Sequence, residues 1–438
     1  TGNGTVSTAP TVEEIYGEGL SQESVEAMQN SGTIMMYTTD NNIANGKFDK
    51  DPYTQKYVEW AKKYYGLTIK YRYRAWSGSM FEKFYVDYAA NDAPDFLSVN
   101  YYMWPKAGLR NLVYTTEELK ERGIVGLDHP LMKADSEACE RYTIGGKHYA
   151  VTSHANVIII GVNLDLFEKY NVKSPVDYYK EGTWDMDTYV KCAKEITRTT
   201  ADGTKVWGGF GWNYNWTLMA NDCALISWDN SRTKLVVTMN DPKVQRACGV
   251  IADLYTGKYT PMSGAETYFK QGQMGFFAYI PQNLASILRK VTFKWDIVPF
   301  PYGADNTTGA YPSELYASCV VSSSKNPQGT VNYMISSNIW RGMAVGADFI
   351  PENDYYNQVG WGCFTPEQVA MYTAYEDKGM MDLSLGVGNL AVDYGFWNNL
   401  RDGSKTYKEC VDTYETVYQN QCDIENEEAE KARKASGN

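Results

Sequence analysis

Apolar positions along this chain follow two rhythms. Residues 33–39 (TIMMYTT), Leu67–Tyr73 (LTIKYRY) and Phe96–Val99 (FLSV) are short runs rich in β-branched and aromatic residues, which is the pattern of strands. Tyr53, Tyr57, Trp60 and Tyr64 instead fall at helical spacing on one face. Asp51-Pro52 supplies that helix with a cap and a first residue, and Gly66 ends it. These four rings are expected in a core. A second helix, headed by Trp76, carries Phe81, Phe84, Tyr85 and Tyr88 and ends in Asn91-Asp92-Ala93-Pro94-Asp95. Residues 66–99 therefore read as a β-α-β unit. Residues 157–162 (VIIIGV) suit a buried strand and are far too short to span a bilayer. A strand over 316–321 and a helix over about 407–434 follow, with a Gly-, Asn- and Thr-rich loop at 302–312. No internal repeat is visible, and the alternation of strands and helices predicts an α/β chain.

Length turns this into two units. A chain of 438 residues exceeds one core, so two lobes of ~150–250 residues are expected. The net charge of −12 disfavours nucleic acid and anionic membrane surfaces, which need clustered Lys and Arg. The aromatic total is high: Tyr 36, Trp 12, Phe 14. Such rings offer flat apolar faces with polar edges. Sugar rings, with a C–H face and a rim of hydroxyls, match them, so the excess leans toward an aromatic-lined cleft.

Several chemistries find no motif. The eight cysteines include no C-x-x-C pair, and Cys410 and Cys422 share one expected helix about 18 Å apart, too far for a bond. Mostly free, buried thiols are expected. Three histidines without helical spacing make no metal site, and neither G-x-S-x-G nor H-E-x-x-H occurs. No cofactor is implied.

The order of the motifs carries a resemblance. The β-α-β unit with its Trp and its NDAPD turn, the segment Tyr142 to Val151 (YTIGGKHYAV), and Asn163 to Lys169 (NLDLFEK) each resemble a family signature. So do Thr183 to Tyr189 (TWDMDTY), Glu266 to Tyr279 (ETYFKQGQMGFFAY), Trp295 to Pro301 (WDIVPFP) and Ser324-Lys325-Asn326-Pro327. Together they resemble the family 1 extracellular solute-binding proteins of bacterial ABC importers, of the carbohydrate-binding, maltose-binding-protein-like type. The likeness covers about residues 31–335, with His154 and the aromatic insert at 355–364 as departures.

That resemblance implies an α/β, two-lobed periplasmic-binding-protein-like fold of type II, with a cleft between lobes joined by hinge strands. Residues 1–30 would be a flexible linker, 31–155 with about 300–340 the first lobe, and 156–299 with about 341–435 the second. The function implied is capture of a sugar or oligosaccharide and its delivery to membrane permease subunits, by a monomer that is not an enzyme. Residues 1–10 resemble the linker after the lipid-anchored Cys of an extracellular surface lipoprotein whose signal peptide is absent from this chain.

Candidate ligand contacts come from loops at strand ends, where open α/β sheets bind. In the first lobe these are Asp40, Asn41, Trp76, Tyr101, Tyr102 and Glu314; at the hinge, His154 and Asn156; in the second lobe, Trp212, Tyr214, Tyr279 and Trp361. Trp228 and Trp397 are reserves with structural roles expected. The rivals are a glycoside hydrolase, which needs only two carboxylates among 53 acidic residues, a peptide or polyamine binder, and an adhesin.

Overall fold

The computed structural model describes residues 10–436 apart from 50, 211–212, 347–360 and 388–389. Two mixed sheets organise it. In the first, Gly32–Thr38 pairs in parallel with Leu67–Tyr73 along its whole length and with Phe96–Val99 on its other side. Tyr311–Val320 runs antiparallel to Phe96–Val99 and to Thr152–Val157. In the second, Ile159–Asn163 lies between Trp295–Pro299 and Met274–Tyr279, and Lys205–Phe210 and Arg198–Thr199 complete the sheet. Helices cover both sheets, as parallel strands require. The arrangement is the two-lobed α/β fold expected from the sequence.

Two of the places where the chain passes between the sheets are adjacent. Thr152–Val157 belongs to the first sheet and Ile159–Asn163 to the second, so the apolar run at 157–162 is itself a crossing. The second crossing joins Trp295–Pro299 to Tyr311–Val320. Tyr311 ties the two together: its buried hydroxyl donates to the Ile158 carbonyl at 2.7 Å and accepts from the Phe300 amide at 2.7 Å. Ile158 N donates to the Pro312 carbonyl at 3.0 Å.

Local chemistry explains the helix over Pro52–Tyr65. Asp51 accepts from Thr54 N at 3.0 Å, and Gly66 ends the helix in a left-handed turn with φ 58°. A Cβ there would stand 2.6 Å from the Gln29 carbonyl oxygen, so only glycine fits. The C-terminal helix is Tyr407–Ala435, with Cys410 and Cys422 buried on it. All eight cysteines are free thiols, and only Cys363 is not fully buried.

Three expectations change. Residues 10–30 are not a free linker: Val12–Tyr16 and Gln22–Gln29 are helices. The Thr11–Glu14 capping box starts the first, Tyr16 donates to the Tyr64 carbonyl at 2.5 Å, and Tyr65 donates to the Ile15 carbonyl at 2.7 Å. Polar composition concealed two helices that bury only Ile15, Tyr16 and Met28. Second, the helix expected at Trp76 begins only at Met80, because Ser77 to Ser79 form a bend and turn that delays it. Third, not all of 341–435 belongs with the second sheet. Gly379–Met380 adds a parallel edge to the first sheet beside Tyr311–Val320, and a two-residue strand leaves no periodic trace in sequence. The loop before Tyr311 leans the other way, with Gly303 N donating to the Ala220 carbonyl at 2.9 Å.

Candidate functional site

The site begins with strand alternation. Successive side chains of a strand point to opposite faces. In the antiparallel pair of Thr152–Val157 and Tyr311–Val320, His154 lies opposite Tyr316 and Asn156 opposite Glu314. Ala155, Val157, Leu315 and Ala317 on the other face are buried. Four polar or aromatic side chains thus share one open face beside the crossing. The His154 and Tyr316 rings stack at 4.9 Å and 6°. The Tyr316 hydroxyl donates to Glu314 Oε2 at 3.3 Å.

Loops leaving the parallel strands add to this face. After Phe96–Val99, buried Asn100 accepts from Tyr102 N at 2.9 Å and shapes the turn that carries Tyr101 and Tyr102. Those two rings lie 4.6 Å apart. Beyond Leu67–Tyr73 stands Trp76, whose ring centroid is 6.5 Å from Tyr101, 6.3 Å from Tyr102 and 6.2 Å from Tyr316. Trp76 remains 47% exposed. Beyond Gly32–Thr38, Asp40 caps a short helix by accepting from Asn42 N at 2.7 Å. It also lines a recess of about 450 Å³ with Thr38, Thr39, Tyr53, Tyr333 and Arg341. A smaller recess of about 120 Å³ shares Thr38 and Thr39 with this one and reaches Trp76. Trp76 and Asp40 therefore flank one continuous wall.

Electrostatics at this wall are tuned toward neutrality. His154 is exposed on the open face, with the Tyr316 ring stacked on one side of it. Desolvation by the protein behind the imidazole, with the Arg341 charge adding to it, pushes its pKa down to about 4. Burial pushes the Glu314 carboxyl up, against the Tyr316 hydrogen bond. Burial and the Glu314 charge raise the Tyr101 and Tyr316 phenols. At neutral pH the imidazole and the phenols are uncharged. Arg341 forms no ion pair among the described residues.

The predicted residues fall into groups. Trp76, Tyr101, Tyr102, His154, Asn156 and Glu314 come together on one face, with Asp40 on the adjoining recess. Asn41 is exposed and its side-chain oxygen meets only Asn45, at 3.4 Å. Tyr279 ends its strand opposite Ile159, at the crossing, with its ring 6.4 Å from buried Trp216. Trp361 stands apart. It packs beside Tyr372, whose neighbour Phe364 lies against Trp295, at the end of the second sheet remote from the crossing. Trp212 lies outside the described residues. The Tyr214 side chain does too, although its backbone opens the helix Asn213–Ala220. Trp228 is half-buried in a hairpin and Trp397 is buried against Phe396. Sequence reasoning missed Tyr316 and Arg341. Tyr316 was findable, since it stands two residues from Glu314 in a strand and must share its face. Arg341 was not, because nothing local says which turn of Pro327–Gly346 meets the recess.

Comparison with known proteins follows this geometry. The profile described as "Bacterial extracellular solute-binding protein" matches residues 53–337. Among solved structures, the sugar-binding protein MalE from Xanthomonas citri superposes with a TM-score of 0.64 at 12% identity, covering 92% of this chain and 99% of that one. The ABC substrate-binding protein Lmo0181 from Listeria monocytogenes, in complex with cycloalternan, gives 0.59 at 15% identity over 93% and 99%. The GacH receptor of Streptomyces glaucescens gives 0.57 at 20% identity over 90% and 99%. No curated protein sequence matches the chain. Among the described residues no helix is long and apolar enough to cross a membrane.

Proposed function

We propose that this chain, which belongs to the bacterial extracellular solute-binding proteins, captures a sugar or oligosaccharide between its lobes and hands it to an ABC importer. The observation that carries this reading is the open aromatic face of Trp76, Tyr101, Tyr102 and Tyr316 beside Glu314, Asn156 and His154. Rings can stack on the apolar side of a sugar while polar neighbours pair its hydroxyls. A neutral imidazole can both donate and accept, which suits a hydroxyl partner. A site tuned to hydroxyls rejects ligands lacking them, because a buried group is then left unpaired. Tyr279 and the segment around Trp212 and Tyr214 would close on the ligand from the second lobe. Closure follows from the ligand's higher affinity for the closed form. The loaded protein, a monomer tethered at the cell surface by a lipid anchor, would then dock on its permease. The neighbours' sugars, cycloalternan among them, support the ligand class and do not name the sugar.

The test is calorimetry of the purified chain against plant and starch oligosaccharides, with chromatography of each mixture. Saturable binding at micromolar concentration or below, with the sugar recovered intact, is the expected result. Shortened products would overturn capture and make Glu314 a catalytic candidate. Silence across the sugars, with heat from peptides or polyamines, would move the ligand class.

A further inference from the structure

A second recess, of about 260 Å³, shares no residue with the cleft wall. Arg141, Arg232 and Asp229 line it together with Trp228, Met380, Met381 and Leu383. Met380 belongs to the first sheet through its pairing with Pro312. Trp228 and Arg232 belong to the hairpin Ile226–Trp228 and Leu235–Val237, which Asn426 of the C-terminal helix holds at 2.8 Å and 3.0 Å. The recess is therefore built from separate parts of the chain and fixed from both sides.

Among the described residues neither Arg141 nor Arg232 forms an ion pair. Arg232 donates Nε and one Nη to the Thr143 carbonyl at 3.3 Å and 3.1 Å, and that same Nη to the Arg141 carbonyl at 3.4 Å. This orients the guanidinium and leaves its other Nη unbonded. Trp228 backs it at 5.9 Å. Among the described residues the Arg141 side chain makes no hydrogen bond. The Asp229 carboxylate also lines the recess; it forms no ion pair with either arginine and accepts instead from Ser231 Oγ and from the amides of Thr233 and Lys234. Burial and the like charge of Arg141 lower the Arg232 pKa, against the opposing charge of Glu140. Two partly desolvated cations side by side cost free energy that an oxyanion would recover.

We propose that this recess is a binding site for a small organic carboxylate, its carboxylate on Arg141 and the free edge of Arg232 and its apolar body on Met380, Met381 and Leu383. The volume lies just below the ~300–1,000 Å³ of drug-sized sites and excludes an oligosaccharide.

The experiment is titration of the purified full chain with phenylacetate, followed by calorimetry and by saturation-transfer NMR, with inorganic phosphate in parallel. Saturable phenylacetate binding is expected, weakened at least about tenfold in Arg141→Gln by loss of a charge-assisted contact. Arg141→Gln leaves the Arg232 staple intact, so it should fold as the parent does, and circular dichroism checks this. Met380→Gln, which removes apolar surface without adding charge, should weaken phenylacetate while leaving phosphate unchanged. Absence of saturation at millimolar phenylacetate, or equal affinity in Arg141→Gln, would overturn the site. Phosphate binding as tightly as phenylacetate would overturn the apolar half of the assignment.

Discussion

Two aromatic clusters in the first lobe use the same residue types and end in opposite states. Tyr57, Trp60, Tyr65 and Trp340 pack between the helices Pro52–Tyr65 and Pro327–Gly346, with Trp60 5.4 Å from Trp340 and 5.5 Å from Tyr65. Tyr57 and Tyr65 are buried, and the Tyr57 hydroxyl pairs with Ser336 Oγ at 2.8 Å. Trp76, Tyr101, Tyr102 and Tyr316 show comparable ring distances, but Trp76 keeps half its surface in water. The difference is support: the first cluster is covered by a second helix, the second stands on a strand face with loops on one side only. Aromatic content alone therefore says nothing about function. An aromatic group open on one side is poised to receive a ring.

The comparison breaks most visibly at Tyr65, which is fully buried and lines neither recess of the wall. Tyr65→Ala should cost about 3–5 kcal/mol of stability, the range for buried aromatic truncations, while sugar affinity per folded molecule stays unchanged; urea unfolding and calorimetry read the two quantities. Trp76→Ala should do the reverse. Affinity should fall by about 2 kcal/mol, roughly thirtyfold, with stability moving less than ~0.5 kcal/mol. A large loss of stability at Trp76 would make both clusters structural and remove the site.

A pH series sharpens the same contrast. His154 titrates near 6.5 when unfolded and at about 4 when folded. Between those values the unfolded chain binds more protons, so stability rises with pH. The contribution is fully present above pH 6.5 and is lost as pH falls through about 4. His154→Asn should flatten the slope of Tm against pH in that window, and an unchanged slope would show that the imidazole is not desolvated. Tyr316→Phe gives the smallest effect. It keeps the stacking on His154 and loses only the hydroxyl, so affinity should drop by about 0.5–1.5 kcal/mol, measured by titration with the same sugar.

Much of this was readable from local pattern, for reasons that are themselves local. Asp51-Pro52 and Gly66 bound a helix because caps and left-handed turns are decided within a few residues. Leu67–Tyr73 and Phe96–Val99 are strands by their own periodicity. Trp76, Tyr101 and Tyr102 follow strand ends, so their arrival on one face was accessible once the sheet was assumed parallel. The failures share the opposite property. Trp361 looked like Trp76, an aromatic in a loop, but packs against the far end of the second sheet. The N-terminal helices hid because three buried residues in a polar stretch carry little periodic signal, and Gly379–Met380 is too short to carry any.

The sequence by itself determined the α/β alternation, the buried strand at 157–162, the limits of the helix Pro52–Tyr65 and the family likeness, since each depends on residues close together in the chain. Only the tertiary structure decided which rings are covered and which are open, that Arg341 meets the recess beside Asp40, and that Arg141 and Arg232 line one recess with no ion pair among the described residues. Burial and charge pairing depend on what distant segments bring to the same place, here residues some 90 positions apart for Arg232 and Arg141. No window of the chain contains that information.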